Sequence, residues 1–131
     1  MIFVDTGAWF AALVPNDPDH AAADEWLATN TEPLITTDYI LDELLTLLKI
    51  RNEYNRAIRV GEHLLEERIA ELYWVSHEDV EDAWETYQQF QDKRWSFTDC
   101  VSRAVMERLE ISTAFAFDDH FRQFGTVTVV P

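Results

Sequence analysis

One cysteine, Cys100, is all the thiol chemistry this chain of 131 residues possesses. It cannot close an internal disulfide, and with no second cysteine at ligand spacing a zinc ribbon is excluded as well. Cys100 is read as a small buried hydrophobe. Lysine is nearly as scarce, with only Lys49 and Lys93, and 10 basic residues face 25 acidic ones for a formal net charge of −15. A surface of that sign repels nucleic acid at long range, which argues against a simple nucleic-acid-binding module. Three readings of the acidity stay open together: a cation-dependent site, a basic protein partner, or adaptation to high salt. No stretch reaches the roughly 18 apolar residues of a membrane span, and the start Met1-Ile2-Phe3-Val4-Asp5 has neither a basic region nor an apolar signal core. The expected location is the cytoplasm. Repeats, low-complexity tracts and linkers are missing too, so one domain over residues 1–131 is expected.

What the chain does have is material for a core. Hydrophobic residues make up 47%, with five Trp and eight Phe, enough for a domain of this length to bury roughly two-thirds of its surface. Met1–Val4 is apolar without alternation and reads as a strand covered on both faces. Thr6-Gly7 turns the chain into a helix from Ala8 to Val14 that Pro15 stops, and Pro18 opens a second helix to about Ala28. Leu34–Thr36 is the next strand. Thr37 or Asp38 caps a helix from Tyr39 to Arg51, whose Ile40, Leu41, Leu44, Leu45, Leu47 and Leu48 form one apolar arc opposite Asp38, Asp42, Thr46 and Lys49. A helix from Tyr54 to Arg68 completes a hairpin with it, and its His63 is read as a surface residue. Leu72–Val75 is a third strand. Ser76 caps a helix to about Asp92 with Val80, Trp84, Tyr87 and Phe90 towards the core. The helix from Phe97 to Leu109 buries Val101, Ala104, Val105 and Leu109, Thr113–Phe117 is a fourth strand, His120 to Phe124 a short helical turn, and Thr126–Val130 a last strand at an edge. Strands and helices in this order predict an α/β three-layer sandwich around a mostly parallel sheet.

In such a sheet the carboxyl ends of the strands form one edge, where ligands bind. Asp5 and Asp118 each come directly after a strand. Asp99 opens a helix in the run Trp95-Ser96-Phe97-Thr98-Asp99-Cys100, immediately beyond the basic pair Lys93-Arg94. Glu43 lies at the rim of an apolar arc, one turn into the helix leaving the second strand, where an ionised carboxylate needs a partner. Each has a local explanation: Asp5 and Asp118 as turn residues, Asp99 as the acid of a capping box with Ser96, Glu43 as a side chain reaching for water. Brought together, the four would repel one another unless cations neutralised them. Hard divalent ions suit that oxygen-rich setting.

Asp5-Thr6 after the first strand, Glu43 on the helix after the second, Ser96-Phe97-Thr98-Asp99-Cys100, and Phe117-Asp118-Asp119-His120-Phe121 together resemble the acidic signature of PIN-domain ribonucleases. They resemble more closely the VapC toxins of prokaryotic toxin–antitoxin systems. The resemblance covers essentially the whole chain. It implies the PIN-like fold and a metal-dependent endoribonuclease cutting structured RNA such as tRNA or rRNA, with Asp5, Glu43, Asp99 and Asp118 holding Mg²⁺ or Mn²⁺ ions. It also implies an antitoxin partner lying across the site, and a homodimer. Thr6, Thr98 and Asp119 are expected one layer out, orienting carboxylates or water. His120 could serve as an acid or base, but the implied mechanism requires none, and the pattern from Phe117 to Phe124 points mainly to packing. Lys93, Arg94, Arg103 and Arg122 are the candidate phosphate contacts, with salt bridges the expected role of most of them in so acidic a chain, and Trp9, Trp26 and Trp95 are candidate interface anchors or equally core. Asp119 stands where many relatives have a basic or polar residue, and the acidity of the chain is unusual for them.

Other classes fit less well. A phosphoacceptor signalling domain needs adjacent acids after its first strand and a lysine after its last, and a haloacid-type phosphatase needs a second acid where Gly7 stands. The stronger rival is a non-catalytic PIN-like scaffold, which would be expected to lose one of the four acids; all four remain.

Overall fold

The unbroken apolar run Ile2-Phe3-Val4 belongs to the central strand of a five-stranded sheet, covered on both faces, with Phe3 and Val4 at 0% exposure. The computed structural model describes residues 1–131. In chain order the elements are β1 (Ile2–Val4), α1 (Thr6–Leu13), α2 (His20–Thr29), β2 (Leu34–Thr37), α3 (Asp38–Ile50), α4 (Tyr54–Leu65), β3 (Glu71–Tyr73), α5 (His77–Gln89), α6 (Phe97–Arg108), β4 (Thr113–Phe115), a 3₁₀ turn at Arg122–Phe124, and β5 (Thr128–Val130). The strand order is β3-β2-β1-β4-β5 and every pairing is parallel. Ile2 pairs with Leu34 on one side of β1, and Phe3 with Ala114 on the other.

This order positions the site. The chain winds outward from β1 through β2 to β3, then crosses to the far side of β1 for β4 and β5. The direction of winding therefore reverses at β1, which opens a crevice at the carboxyl ends of β1 and β4. Asp5 N–H donates to Phe115 C=O at 3.1 Å, holding the two strand ends together where the crevice begins. The core runs through Ile35 of β2, Ile40, Leu44 and Leu48 of α3, Leu64 of α4, Val101 and Val105 of α6, and Phe115 and Phe121. No helix is long and apolar enough to cross a membrane.

Local chemistry explains most of the boundaries. Thr37 rather than Asp38 caps α3, its hydroxyl accepting from Ile40 N–H at 3.1 Å, while Asp38 Oδ1 accepts from Val75 N–H at 2.8 Å. Ser76 and Asp79 form a full capping box on α5, and Ser96 and Asp99 form another on α6. Helix α1 begins at Thr6, so Thr6 and Gly7 make its first turn instead of a separate turn. Pro18 precedes α2, which starts at His20. Helix α4 ends at Leu65, and Asn52, Glu67 and Glu110 take positive φ in the turns after α3, α4 and α6.

The face of α5 differs from the sequence-based expectation by one position. Asp79, Ala83 and Thr86 are the buried residues, whereas Trp84 and Tyr87 are 53% and 46% exposed. Small Ala83 and Thr86 let α5 lie close on α6, and the two large rings are displaced to the flank. There Trp84 stacks on Tyr87 at 5.9 Å, and Tyr87 meets Phe97 edge-on. Leu109 is likewise outside, as the C-cap of α6. Of the three tryptophans read as interface anchors or equally as core, Trp9 and Trp95 are buried in the core and Trp26 packs against it. Trp9 donates to Thr36 Oγ1 at 3.3 Å, half-buried Trp26 packs on Phe115 at 4.4 Å, and Trp95 lies between Phe90 and Phe124.

Beneath α5, Asp79 is the hub of a polar cluster at 0% exposure. Its Oδ2 accepts from Tyr73 OH at 2.7 Å and Ser76 N–H at 2.9 Å, and its Oδ1 from Arg108 Nε at 2.5 Å. Arg108 also reaches Asp82 at 2.6 Å and Glu78 at 3.2 Å, clamping α6 to α5. Burial pushes the Asp79 carboxyl up, but the hydrogen bonds from Ser76, Tyr73 and Arg108 outweigh it and hold it below its ordinary value. Burial and the Asp79 charge raise Tyr73 in turn.

Candidate active site

Asp5 leaves β1 at the floor of the crevice and is 3% exposed. It stands at the N-cap of α1, yet its side chain makes no capping bond. No basic side chain pairs with it. Burial pushes its pKa well above the ordinary carboxylate value, the charges of Asp118, Asp99 and Glu43 push it further, and only the Thr6 backbone N–H opposes them. Those neighbours join the four sequence-predicted carboxylates in one electrostatic cluster, drawn from the end of β1, the second turn of α3, the first turn of α6 and the loop after β4.

Asp99 has two duties. Its Oδ2 closes the capping box by accepting from Ser96 N–H at 2.9 Å, while Asp99 N–H donates to Ser96 Oγ at 3.0 Å. The same Oδ2 lies 2.7 Å from His120 Nδ1; an ionised carboxylate only accepts, so the imidazole Nδ1–H is the donor. Burial raises the Asp99 pKa; Ser96 and His120 pull it down, Asp118 adds to the rise, and the net shift is upward. Asp118, 44% exposed, accepts from His120 N–H at 3.0 Å through Oδ1. Contrary to the expectation that it packs, His120 bridges to Asp99; the packing is done by its neighbours Phe121 and Phe124, 4.8 Å apart. Nothing in the local sequence marks this contact, because it joins a loop to a helix 21 residues away.

Glu43 is half-buried and lines a recess of about 350 Å³ between α3 and α6 with Asp42, Thr46, Leu47, Ile50 and Thr98. Thr98 shares this recess with Glu43. Thr6 Oγ1 is buried beside Asp5 without a hydrogen-bond partner. Of the predicted basic contacts, Lys93 and Arg94 line a cleft with Asp119 and His120. Arg103 is committed elsewhere, bonded to Thr86 Oγ1 and Glu107 at 3.3 Å each and lying over the rings of Phe90 and Trp95. Arg122 is exposed on the 3₁₀ turn.

No three His, Cys, Asp or Glu side chains stand together so as to hold an ion as they are. Ser96 and His120 engage one oxygen of Asp99, and the His120 backbone draws Asp118 onto its own loop. The donor set nonetheless fits a hard divalent cation: carboxylate oxygens, one of them buried without a countercharge, beside an unpartnered hydroxyl.

One expected outcome concerns Asp5. Its folded pKa lies above the unfolded value of 3.8, so the folded state holds the proton more tightly. This group's contribution favours folding as pH falls from neutrality to about 5, and weakens it as pH rises through the raised value. Melting of the metal-free protein across that range should show the trend, and Asp5→Asn should flatten it. An identical slope in the variant would mean Asp5 ionises freely.

Residues 2–127 match the PIN domain family. The chain is 33% identical over 131 residues to the 23S rRNA-specific endonuclease VapC20 of Mycobacterium tuberculosis, covering all of this chain and 99% of that one. It is 26% identical to Ribonuclease VapC26 of the same organism, across 99% of this chain and 100% of the relative. The crystal structure of M. tuberculosis VapC20, described as a sarcin–ricin loop cleaving toxin, superposes with a TM-score of 0.93 at 30% identity over the full length of both chains. FitAcB from Neisseria gonorrhoeae shares the fold at a TM-score of 0.73 and 15% identity, covering all of this chain and 97% of that one. The parallel sheet that reverses at β1 is thus a shared fold, and the chain belongs to the PIN domain family, among its VapC-type members.

Proposed function

We propose that the protein is a divalent-metal-dependent endoribonuclease that cuts structured RNA, with ribosomal RNA of the sarcin–ricin type as the favoured substrate class. The observation that carries this reading is Asp5, buried at the crevice floor and held high by Asp118, Asp99 and Glu43 with no basic side chain to relieve it. Such a cluster costs stability and is retained where a cation is to be bound. The named relatives support the reaction class and the substrate.

Asp5, Glu43, Asp99 and Asp118 would hold Mg²⁺ or Mn²⁺. The ion supplies positive charge that acidifies the attacking water and offsets charge building on the phosphoryl oxygens. The chain's own residues do the rest. Ser96 and His120 fix the plane of the Asp99 carboxylate, leaving Oδ1 free of them. Thr6 has its hydroxyl idle beside Asp5, ready to orient a carboxylate or a water. Thr98, which shares a recess with Glu43, would do the same for that carboxylate.

Total RNA incubated with the purified protein in Mn²⁺ should give discrete fragments that EDTA abolishes. Intact RNA from folded, antitoxin-free protein would favour a scaffold role. Mn²⁺ is also expected to raise the melting temperature, since it binds only the folded cluster. Thr6→Val should leave the metal-free protein at least as stable, by removing an unpartnered buried hydroxyl, while weakening Mn²⁺ binding about tenfold by calorimetry. Unchanged affinity would remove Thr6 from the site.

A cognate antitoxin, a homodimer and a cytoplasmic site of action belong to the same reading. Exposed Ile58 and Leu65 on α4, and Trp84 and Tyr87 on α5, offer apolar surface for protein partners. Co-purification with an adjacently encoded basic partner, and the mass in solution, test these.

A further inference from the structure

In a chain this acidic, the disposition of the ten basic residues is informative. Arg56, Arg68, Arg103 and Arg108 are ion-paired. Lys49 and Arg51 lie over the rings of Tyr54 and Phe10. Arg59, Arg94 and Arg122 have no such partner, and Lys93 has only a 3.9 Å contact with its neighbour Asp92. Two of these uncommitted cations are therefore adjacent in sequence, and both line one cleft of about 420 Å³ with Asp92, Asp119, His120 and Gln123. No hydrophobic residue lines it.

Three contacts make this cleft a built feature joined to the carboxylate cluster. His120 belongs to both, lining the cleft while its Nδ1 holds Asp99. Trp95, buried between Phe90 and Phe124, donates from Nε1 to Gln123 Oε1 at 3.0 Å. Indole N–H only donates, so Gln123 must accept through its oxygen, and its amide N–H₂ remains free. Arg94 is rooted between that anchored Trp95 and Lys93, whose N–H is bonded to Phe90 C=O at 3.1 Å. The next N–H along, that of Ser96, is on Asp99. The basic pair is thus carried by the same short segment that positions the reactive carboxylate. Its two cations offset Asp92 and Asp119, so the cleft is near neutral where the carboxylate cluster is strongly negative, and the basic side chains and the Gln123 amide are the donors it offers.

We propose that this cleft is a subsite for a backbone phosphate of the RNA strand, adjacent to the bond to be cut, with Arg94 and Lys93 as its cationic contacts and Gln123 as a neutral donor. Arg94 suits the role because its guanidinium meets two phosphate oxygens at once. The adjacency to the cut bond rests on the nuclease reading; the phosphate affinity does not.

Two measurements separate them. Hexauridylate titrated into ¹⁵N-labelled protein without divalent ions should shift the amides of Lys93, Arg94 and Gln123, and the shifts should vanish when Lys93→Gln and Arg94→Gln are combined. In Mn²⁺, steady-state cleavage of a sarcin–ricin hairpin RNA by that double variant should show KM raised about tenfold and kcat within about twofold, a loss of binding common to ground and transition states. Its log–log salt dependence should flatten by about 0.7, the value for one phosphate contact on a single strand. Arg59→Gln on α4 should change none of these. Shifts without any cleavage would leave the subsite standing and remove the nuclease reading. Cleavage with unchanged KM in the double variant, or an equal effect from Arg59→Gln, would overturn the subsite.

Discussion

Asp99→Asn is expected to abolish metal-dependent RNA cleavage, by about a thousandfold, in a protein that melts no lower than the native one. The two halves of this expectation come from different atoms. The loss arises because an amide is a poor ligand for a hard cation, and metal-ion stabilisation of the reacting phosphoryl group is worth several kcal/mol, with each 1.4 kcal/mol a factor of about ten. The retained fold arises because Asn Oδ1 still accepts from Ser96 N–H, and the residue's own N–H still donates to Ser96 Oγ. Removing a charge that burial and Asp118 disfavour gives the metal-free fold a small gain. A folded variant cleaving within tenfold of the native protein would take Asp99 out of the reaction, whatever its melting temperature.

The largest expected effect on stability lies away from the crevice. Asp79→Ala should cost about 3 kcal/mol, because it strips a buried carboxylate from Arg108, Tyr73 and the α5 cap at once. In a domain of this size that is a fall of about 10 °C in melting temperature. Asp79→Asn, which keeps the cap, should lose less. The native residue also has a pH signature opposite to that of Asp5. Its folded pKa lies below the unfolded 3.8, so its contribution is complete above that value and disappears as pH falls through the lower folded one. Urea unfolding at neutral pH is the check, and a loss under about 1 kcal/mol would class the cluster with ordinary surface ion pairs.

The range of each interaction decides whether it is legible in the chain. Asp5 and Asp118 can be placed because short apolar runs announce strands, and a parallel sheet carries the residues just beyond its strands to one edge. Ser96 and Asp99 can be paired because a capping box is local. Glu43 is marked by its position on the rim of an apolar arc. The face of α5 is misplaced by hydrophobicity, which favours Trp84 and Tyr87, whereas close helix packing selects Ala83 and Thr86. Trp9 and Trp95 cannot be sorted between core and surface, since each buries its ring against distant segments and satisfies its N–H there, on Thr36 and Gln123. The His120 contact depends on the whole sheet being in place, so no short-range pattern encodes it.

The strand order has a consequence for the chain while it is being made. Asp5 and Glu43 belong to the portion wound on one side of β1, whereas Asp99 and Asp118 arrive with the segments that cross to the other side. A growing chain that has not emerged from the ribosome through Asp118 holds at most three of the acids and lacks the loop that braces Asp99. The four-acid centre is therefore incomplete until β4 has been laid down beside β1, so topology places its assembly near the end of synthesis.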